Sequence, residues 1–244
     1  MKDSVDLIKK PGVGKIVFNV FIVSLTILVL RFVINFYYAL GYLFILLIHE
    51  AGHYVSAKFL NLKVAFGGFT PFGAYIVHEN IENCRENAIV AIGGPLFGGI
   101  FGFIYYAIYY FTGDVTFLVL SFTSMVINLI NLIPVKPLDG GHIAEAISPV
   151  ICYIGLPFIL YLLISIKGLK GKISLLIILA IGIYQTYDFT RKYKNSFYFK
   201  LTKSIKIKFI IIYGILLTSL AVSGIYLYAM FDFRELFQSI LRYK

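Results

Sequence analysis

His49, Glu50 and His53 form an H-E-A-G-H string that continues the apolar run from Tyr42 to Ile48. On a helix, positions four apart lie one turn apart on the same face, so both imidazoles can reach a single metal ion while Glu50 stands beside it as a base. A catalytic zinc site normally takes three protein ligands and leaves the fourth position to water, so a third group has to come from elsewhere. The best candidate is Asp139, in the stretch Asn131-Leu-Ile-Pro-Val-Lys-Pro-Leu-Asp-Gly-Gly-His142 that follows a hydrophobic span. Pro134 and Pro137 stop a helix, and Gly140 and Gly141 permit a sharp turn, so the pattern predicts a carboxylate offered from non-helical backbone. His78 and His142 are rivals for the third position. His142 also suits an outer hydrogen-bonding partner of a ligand, and His78, beside Glu79, reads as a solvated loop residue.

The elements that must position these groups are membrane helices. Of the 244 residues 59% are hydrophobic and 14% charged, whereas a soluble domain carries about 25% charged residues. An ionisable group at the centre of a membrane helix costs about 2.5 to 3.5 kcal/mol on insertion scales, so such groups mark function. The expected fold is an all-α polytopic membrane protein of six or seven transmembrane helices, with a small strand-like or re-entrant segment after the metal-binding helix. Apolar spans lie near residues 16–35, 38–58, 88–111, 115–134, 150–166, 173–189 and 209–230. The fifth and sixth are short against the roughly 20 residues a crossing helix needs, which suits a tilted hairpin or a partly re-entrant pair. The first span runs on through Arg31 and Asn35 without a small-residue cleavage site, so it is not expected to be a removable signal peptide. Along the chain this divides into a basic segment (1–15), a catalytic membrane core (16–149), further transmembrane helices (150–230) and a tail (231–244). In the tail Phe233, Leu236, Phe237, Ile240 and Leu241 would share one face of a surface helix. Glu145, Arg31 and Asp188 near apolar runs are read as snorkelling or structurally paired charges.

A net charge of +10 in such a chain reports loop orientation and attraction to anionic lipid, not nucleic acid. Lys2, Lys9, Lys10 and Lys15 precede the first span, and Arg191, Lys192, Lys194, Lys200, Lys203, Lys206 and Lys208 precede the last. With seven crossings both groups share one side, which places the N-terminus in the cytoplasm and the protein in the cell membrane. Lys167, Lys170 and Lys172 then fall outside and run against the rule. Cys84 and Cys152 imply no disulfide framework.

Between the metal-binding helix and the next span, Lys63 to Val77 is rich in β-branched and aromatic residues broken by Gly67, Gly68, Pro71 and Gly73, which predicts short strands with tight turns. An edge strand there could hold an extended peptide, with Gly68, Phe69, Phe72 and Gly73 as substrate-binding residues. Gly94, Gly98 and Gly102 recur every four residues and would let helices approach closely, within one chain or between two, so an oligomer is compatible with them.

Taken together, these segments resemble the site-2 protease family, zinc metalloproteases that cut within or beside the membrane. The resemblance rests on His49-Glu50-Ala51-Gly52-His53 in an apolar span, on Gly93-Gly94-Pro95-Leu96, and on Asn131 to Gly140, which is similar to an N-x-x-P-x-x-x-L-D-G signature. It implies zinc held by His49, His53 and Asp139, Glu50 as general base, and Asn131 near the reacting carbonyl or the substrate backbone. The implied activity is intramembrane zinc endopeptidase, acting on a membrane-embedded or membrane-associated protein or peptide within the lipid bilayer. A membrane metal-ion transporter and an inactive peptide-binding relative are the alternatives. Glu50 separates the first, because transport needs ligands and a path but no proton-shuttling base.

Overall fold

Apolar side chains cover helix α1 (Val13–Val33) on every side: Ile16, Val17, Phe18 and Val33 are all exposed, and Ile22 is the buried one among its described residues. A helix hydrophobic all round belongs in lipid or in a large core. The computed structural model describes residues 12–70, 73–79, 81, 83–165, 169–193 and 197–230. After α1 come α2 (Phe36–Phe59), β1 (Val64–Thr70), β2 (Gly73–His78), α3 (Cys84–Thr112) and α4 (Val115–Asn131). A short α5 (Asp139–Ile147), α6 (Pro149–Ser165), α7 (Leu169–Tyr193) and α8 (Lys203–Met230) complete the order. The residues singled out in the tail lie outside the described ones.

The helices start and stop for local reasons. Asn35 caps α2, its side-chain oxygen accepting the Tyr38 N–H at 2.7 Å in place of an absent helical partner. At the other end Asn61 takes a left-handed conformation (φ 58°), and Leu62 N–H returns to the Ala57 carbonyl at 3.0 Å, a Schellman stop for which Asn is one of the few suitable non-glycine residues. Pro149 opens α6, where its missing N–H costs nothing.

Three described helices are both long and apolar enough to cross a membrane: α1 over Ile16–Val33, α3 and α8. α4, α6 and the Leu175–Asp188 part of α7 are shorter apolar helices. α6, at 17 residues, spans about 25 Å against a hydrocarbon core of about 30 Å. α2 has 24 residues but carries His49, Glu50, His53 and Lys58, which dilute its apolarity. Three long apolar helices, several shorter ones and a small two-stranded sheet agree with the expected all-α polytopic membrane fold.

The strand-like segment is an antiparallel hairpin pairing Val64 with His78 and Thr70 with Gly73, with a bulge between Phe66 and Gly68. Gly68 sits there at φ 130°, a conformation that costs a side-chain-bearing residue dearly. β1 packs against α1 and α2, and β2 against α2. His78 ends β2 rather than lying in a loop, and its Nδ1 is 2.8 Å from the Glu79 carbonyl.

The chain groups into two units, taken over their described residues. The first gathers Met1–Asn80, Gly93–Asn128 and Thr218–Lys244, the second Ile81–Ile92 and Leu129–Leu217. Tyr38, Ile45, Tyr105 and Leu120 form a core of the first. The second has one core around Ile133, Val135 and Ile159 and another around Cys84, Ala88, Ala146, Tyr198 and Phe209.

Candidate metal centre

In the first unit the helical spacing of His49 and His53 brings their Nε2 atoms to 3.1 Å, with the rings edge to face at 88° and 4.7 Å between centroids. Both residues are buried, at 6% and 7% exposure. One donor atom from each of His49, Glu50 and His53 falls within 4.8 Å of the others. Two nitrogens bound at about 2.0 to 2.1 Å to one tetrahedral ion stand roughly 3.3 Å apart, so the imidazole pair matches a shared zinc. Imidazole with carboxylate is also a donor set that suits zinc chemically.

α3 presses the rings into place. Gly52, inside the H-E-A-G-H string, meets Gly93 so closely that a Cβ on either would run into the other's carbonyl. A Cβ on Gly94 would strike His53 Nε2 and come within 2.8 Å of His49 Cε1. The glycine repeat is thus used inside this unit: Gly94 faces the imidazoles, Gly98 faces Asn128, and Gly102 faces Met125.

α4 sets the proton on His49. Asn128 Nδ2 donates to the Ser124 carbonyl at 2.7 Å, which turns its Oδ1 toward His49 Nδ1 at 2.8 Å. An amide oxygen only accepts, so Nδ1 carries a proton, and in the neutral ring Nε2, the atom facing His53, is the one that offers its lone pair to a cation. Ser124 Oγ in turn donates to the Gly98 carbonyl and Ser121 Oγ to the Gly102 carbonyl, each at 2.8 Å. Ser121, Ser124 and Asn128 show no exposure, and their spacing of three and four puts them on one face of α4. The sequence reading missed Asn128. Three polar residues on one stripe of a largely apolar helix were the available signal.

The remaining groups singled out from sequence fall in the second unit or on the hairpin. Asn131 is the last residue of α4, and Asp139 opens α5. Asp139 is therefore helical, not held on irregular backbone as expected, because the irregular stretch ends at Leu138, the N-cap of α5. Gly140 and Gly141 also lie inside α5 and act by allowing close approach: a Cβ on Gly140 would run into the Leu132 carbonyl, and one on Gly141 would lie 2.6 Å from Lys136 N. His142 Nδ1 is 2.8 Å from Asn87 Nδ2, whose other hydrogen reaches Tyr198 Oη at 3.0 Å. An amide NH₂ only donates, so the His142 proton sits on Nε2. Glu145 pairs with Lys136 at 2.6 Å, both side chains buried. Burial pushes the Glu145 carboxyl up to about 7 against the pull of Lys136, and burial lowers the Lys136 ammonium.

On the hairpin Gly68 and Phe69 lie on β1 and Gly73 begins β2, while Phe72 falls outside the described residues. The Phe69 N–H donates to Asn19 Oδ1 of α1 at 3.0 Å, so a side chain of the same unit already occupies that edge donor.

A sequence model of peptidase family M50 matches residues 37–116 and 113–157, a stretch that includes the His49 cluster, Asn128 and Asp139. The chain is 31% identical over 157 residues to a zinc metalloprotease of Methanocaldococcus jannaschii, covering 60% of this chain and 46% of that protein. It is 32% identical over 105 residues to stage IV sporulation protein FB of Bacillus subtilis, covering 41% of this chain and 36% of that one. The match thus spans under half the length of either relative.

Proposed function

Because this chain belongs to peptidase family M50, the zinc metallopeptidases of the site-2 protease type, we propose that it is an intramembrane endopeptidase cutting a membrane-embedded or membrane-associated protein or peptide. The observation that carries the reading is the imidazole pair, with Nε2 atoms 3.1 Å apart and the His49 proton held on the far nitrogen by Asn128.

In this reading His49, His53 and Asp139 hold zinc. When bound, zinc makes water available as a nucleophile near neutral pH and polarises a carbonyl. The Glu50 carboxylate takes the proton of the attacking water and passes it to the leaving amine. The Asn131 side chain steadies the substrate backbone beside the scissile bond. A transmembrane substrate must unwind locally, because a helix keeps its carbonyls in hydrogen bonds. The β1 edge compensates by pairing with the unwound stretch, and there a substrate carbonyl would replace Asn19 at the Phe69 N–H. The reading puts the protein in the cell membrane with its N-terminus in the cytoplasm, an orientation that the basic N-terminal segment supports.

The test is Glu50→Gln. Cleavage of a co-expressed membrane substrate should fall about 10²- to 10⁴-fold, with one zinc per chain retained. Undiminished cleavage would remove Glu50 from the chemistry and, with it, the hydrolase reading.

A further inference from the structure

The turn from Leu132 to Leu138 is non-helical backbone in an apolar protein, and the second unit walls it in with glycine. A Cβ on Gly155 of α6 would collide with Val135 Cγ2 and come within 2.5 Å of the Pro134 carbonyl oxygen. One on Gly182 of α7 would lie 2.6 Å from Val135 Cγ1 and 2.9 Å from the Lys136 carbonyl. Gly140 and Gly141 of α5 approach the backbone of Leu132, Val135 and Lys136 as closely. Tyr213 of α8 donates its hydroxyl to the Leu132 carbonyl. Val135 itself is fully buried among Ile133, Ile159 and neighbouring leucines. Apolar contact and glycine thus set the position of the turn as a body.

Those contacts are less able to fix rotation of the turn relative to α5, since dispersion has no strong direction. Among the described residues one directional side-chain link between the turn and α5 is an ion pair, beside the backbone bond from Gly141 N–H to the Leu138 carbonyl at 3.0 Å. The Lys136 ammonium, three residues before Asp139, meets the Glu145 carboxylate, six residues after it, at 2.6 Å. The two side chains are 6% and 2% exposed. A buried ion pair often adds nothing to stability over an apolar pair of similar size, and its better-attested use is to specify one arrangement.

We propose that Lys136 and Glu145 are positioning residues that clamp the α4–α5 turn to α5 and so hold the Asp139 carboxylate at a fixed angle for the metal. The inference rests on the reading of Asp139 as third ligand. Lys136 acts through the backbone of Pro137 and Leu138, and Glu145 through two turns of α5.

The experiment compares zinc affinity, by chelator competition, and the visible absorption of cobalt-substituted protein in four forms of the full chain: wild type, K136M/E145M, E145Q and D139N. The double variant removes both charges, so no ion is left buried and alone. It should insert and fold while losing about 10- to 100-fold in zinc affinity, with an altered cobalt band that a purely structural role would leave unmoved. E145Q, which keeps a hydrogen bond to Lys136 without the charge, should lose less and decides the matter if the double variant does not fold. Affinity within twofold of wild type and an unchanged cobalt band, in the double variant or failing that in E145Q, overturns the clamp. D139N separates the two ideas: wild-type affinity and cobalt band there would sink Asp139 as a ligand, whereas loss in D139N with none in K136M/E145M would sink the clamp alone.

Discussion

Helix α2 carries His49 and His53 in its interior, whereas Asp139 is the first residue of α5 and directly follows the irregular turn that leaves α4. In the helix every internal N–H and C=O is already bonded, and the neighbours need only shape the rings: Gly94 from α3 by contact, Asn128 from α4 by a hydrogen bond. The turn has no such self-sufficiency. Its Val135 N–H bonds to Ile133 O and its Leu138 N–H to Val135 O, and glycines of α5, α6 and α7 let those helices pack closely against it. Polar groups can be set in an apolar protein either by regular structure with light outside support or by irregular structure with dense outside support.

That contrast can be broken experimentally. The largest effect is expected for Gly94→Val, whose side chain would displace both imidazoles. Zinc affinity should fall on the order of 100-fold or more, as a 1 Å misplacement of a reacting group can cost. A wild-type affinity in chelator competition would mean that α3 does not set the rings. Next comes Asn128→Leu, expected to weaken zinc about 10- to 100-fold by releasing the His49 tautomer. Asn128→Asp, which still accepts from Nδ1, should recover most of the loss, and equal losses in both variants would count against tautomer control.

A smaller effect is expected at the turn. Gly155→Ala overpacks Val135 and Pro134 and should cost about 1 to 3 kcal/mol of stability, read as a lowered unfolding temperature in detergent. Zinc affinity should fall in parallel if dense support is what presents Asp139, and unfolding without any change in affinity would separate the two. The smallest is Asn35→Ala. Loss of the α2 cap should cost about 1 kcal/mol yet leave zinc affinity unaltered, since regular backbone carries the ligands. A drop in affinity there would show that α2 transmits strain from its first turn.

How far the residues could be read in advance follows the same division. His49, Glu50 and His53 were legible because four residues always make about one helical turn. The hairpin was legible from β-branched residues and glycines between Lys63 and Val77. Gly140 and Gly141 read in sequence as permitting a sharp turn and in the fold allow close approach, because a glycine in sequence announces the absence of a side chain and not which neighbour exploits it. Glu145 was read as needing a snorkelling or structural role, and its partner Lys136 emerged only with the turn folded back on α5.

Composition and spacing alone determined an apolar, helical membrane chain with two histidines one helical turn apart and a glutamate beside them, since hydropathy and helical period are properties of neighbouring residues. Tertiary structure decided which nitrogen of His49 carries the proton, through an asparagine 79 positions away, and what encloses the turn before Asp139. Those contacts join residues far apart in the chain, and only packing can choose among the many partners that composition allows.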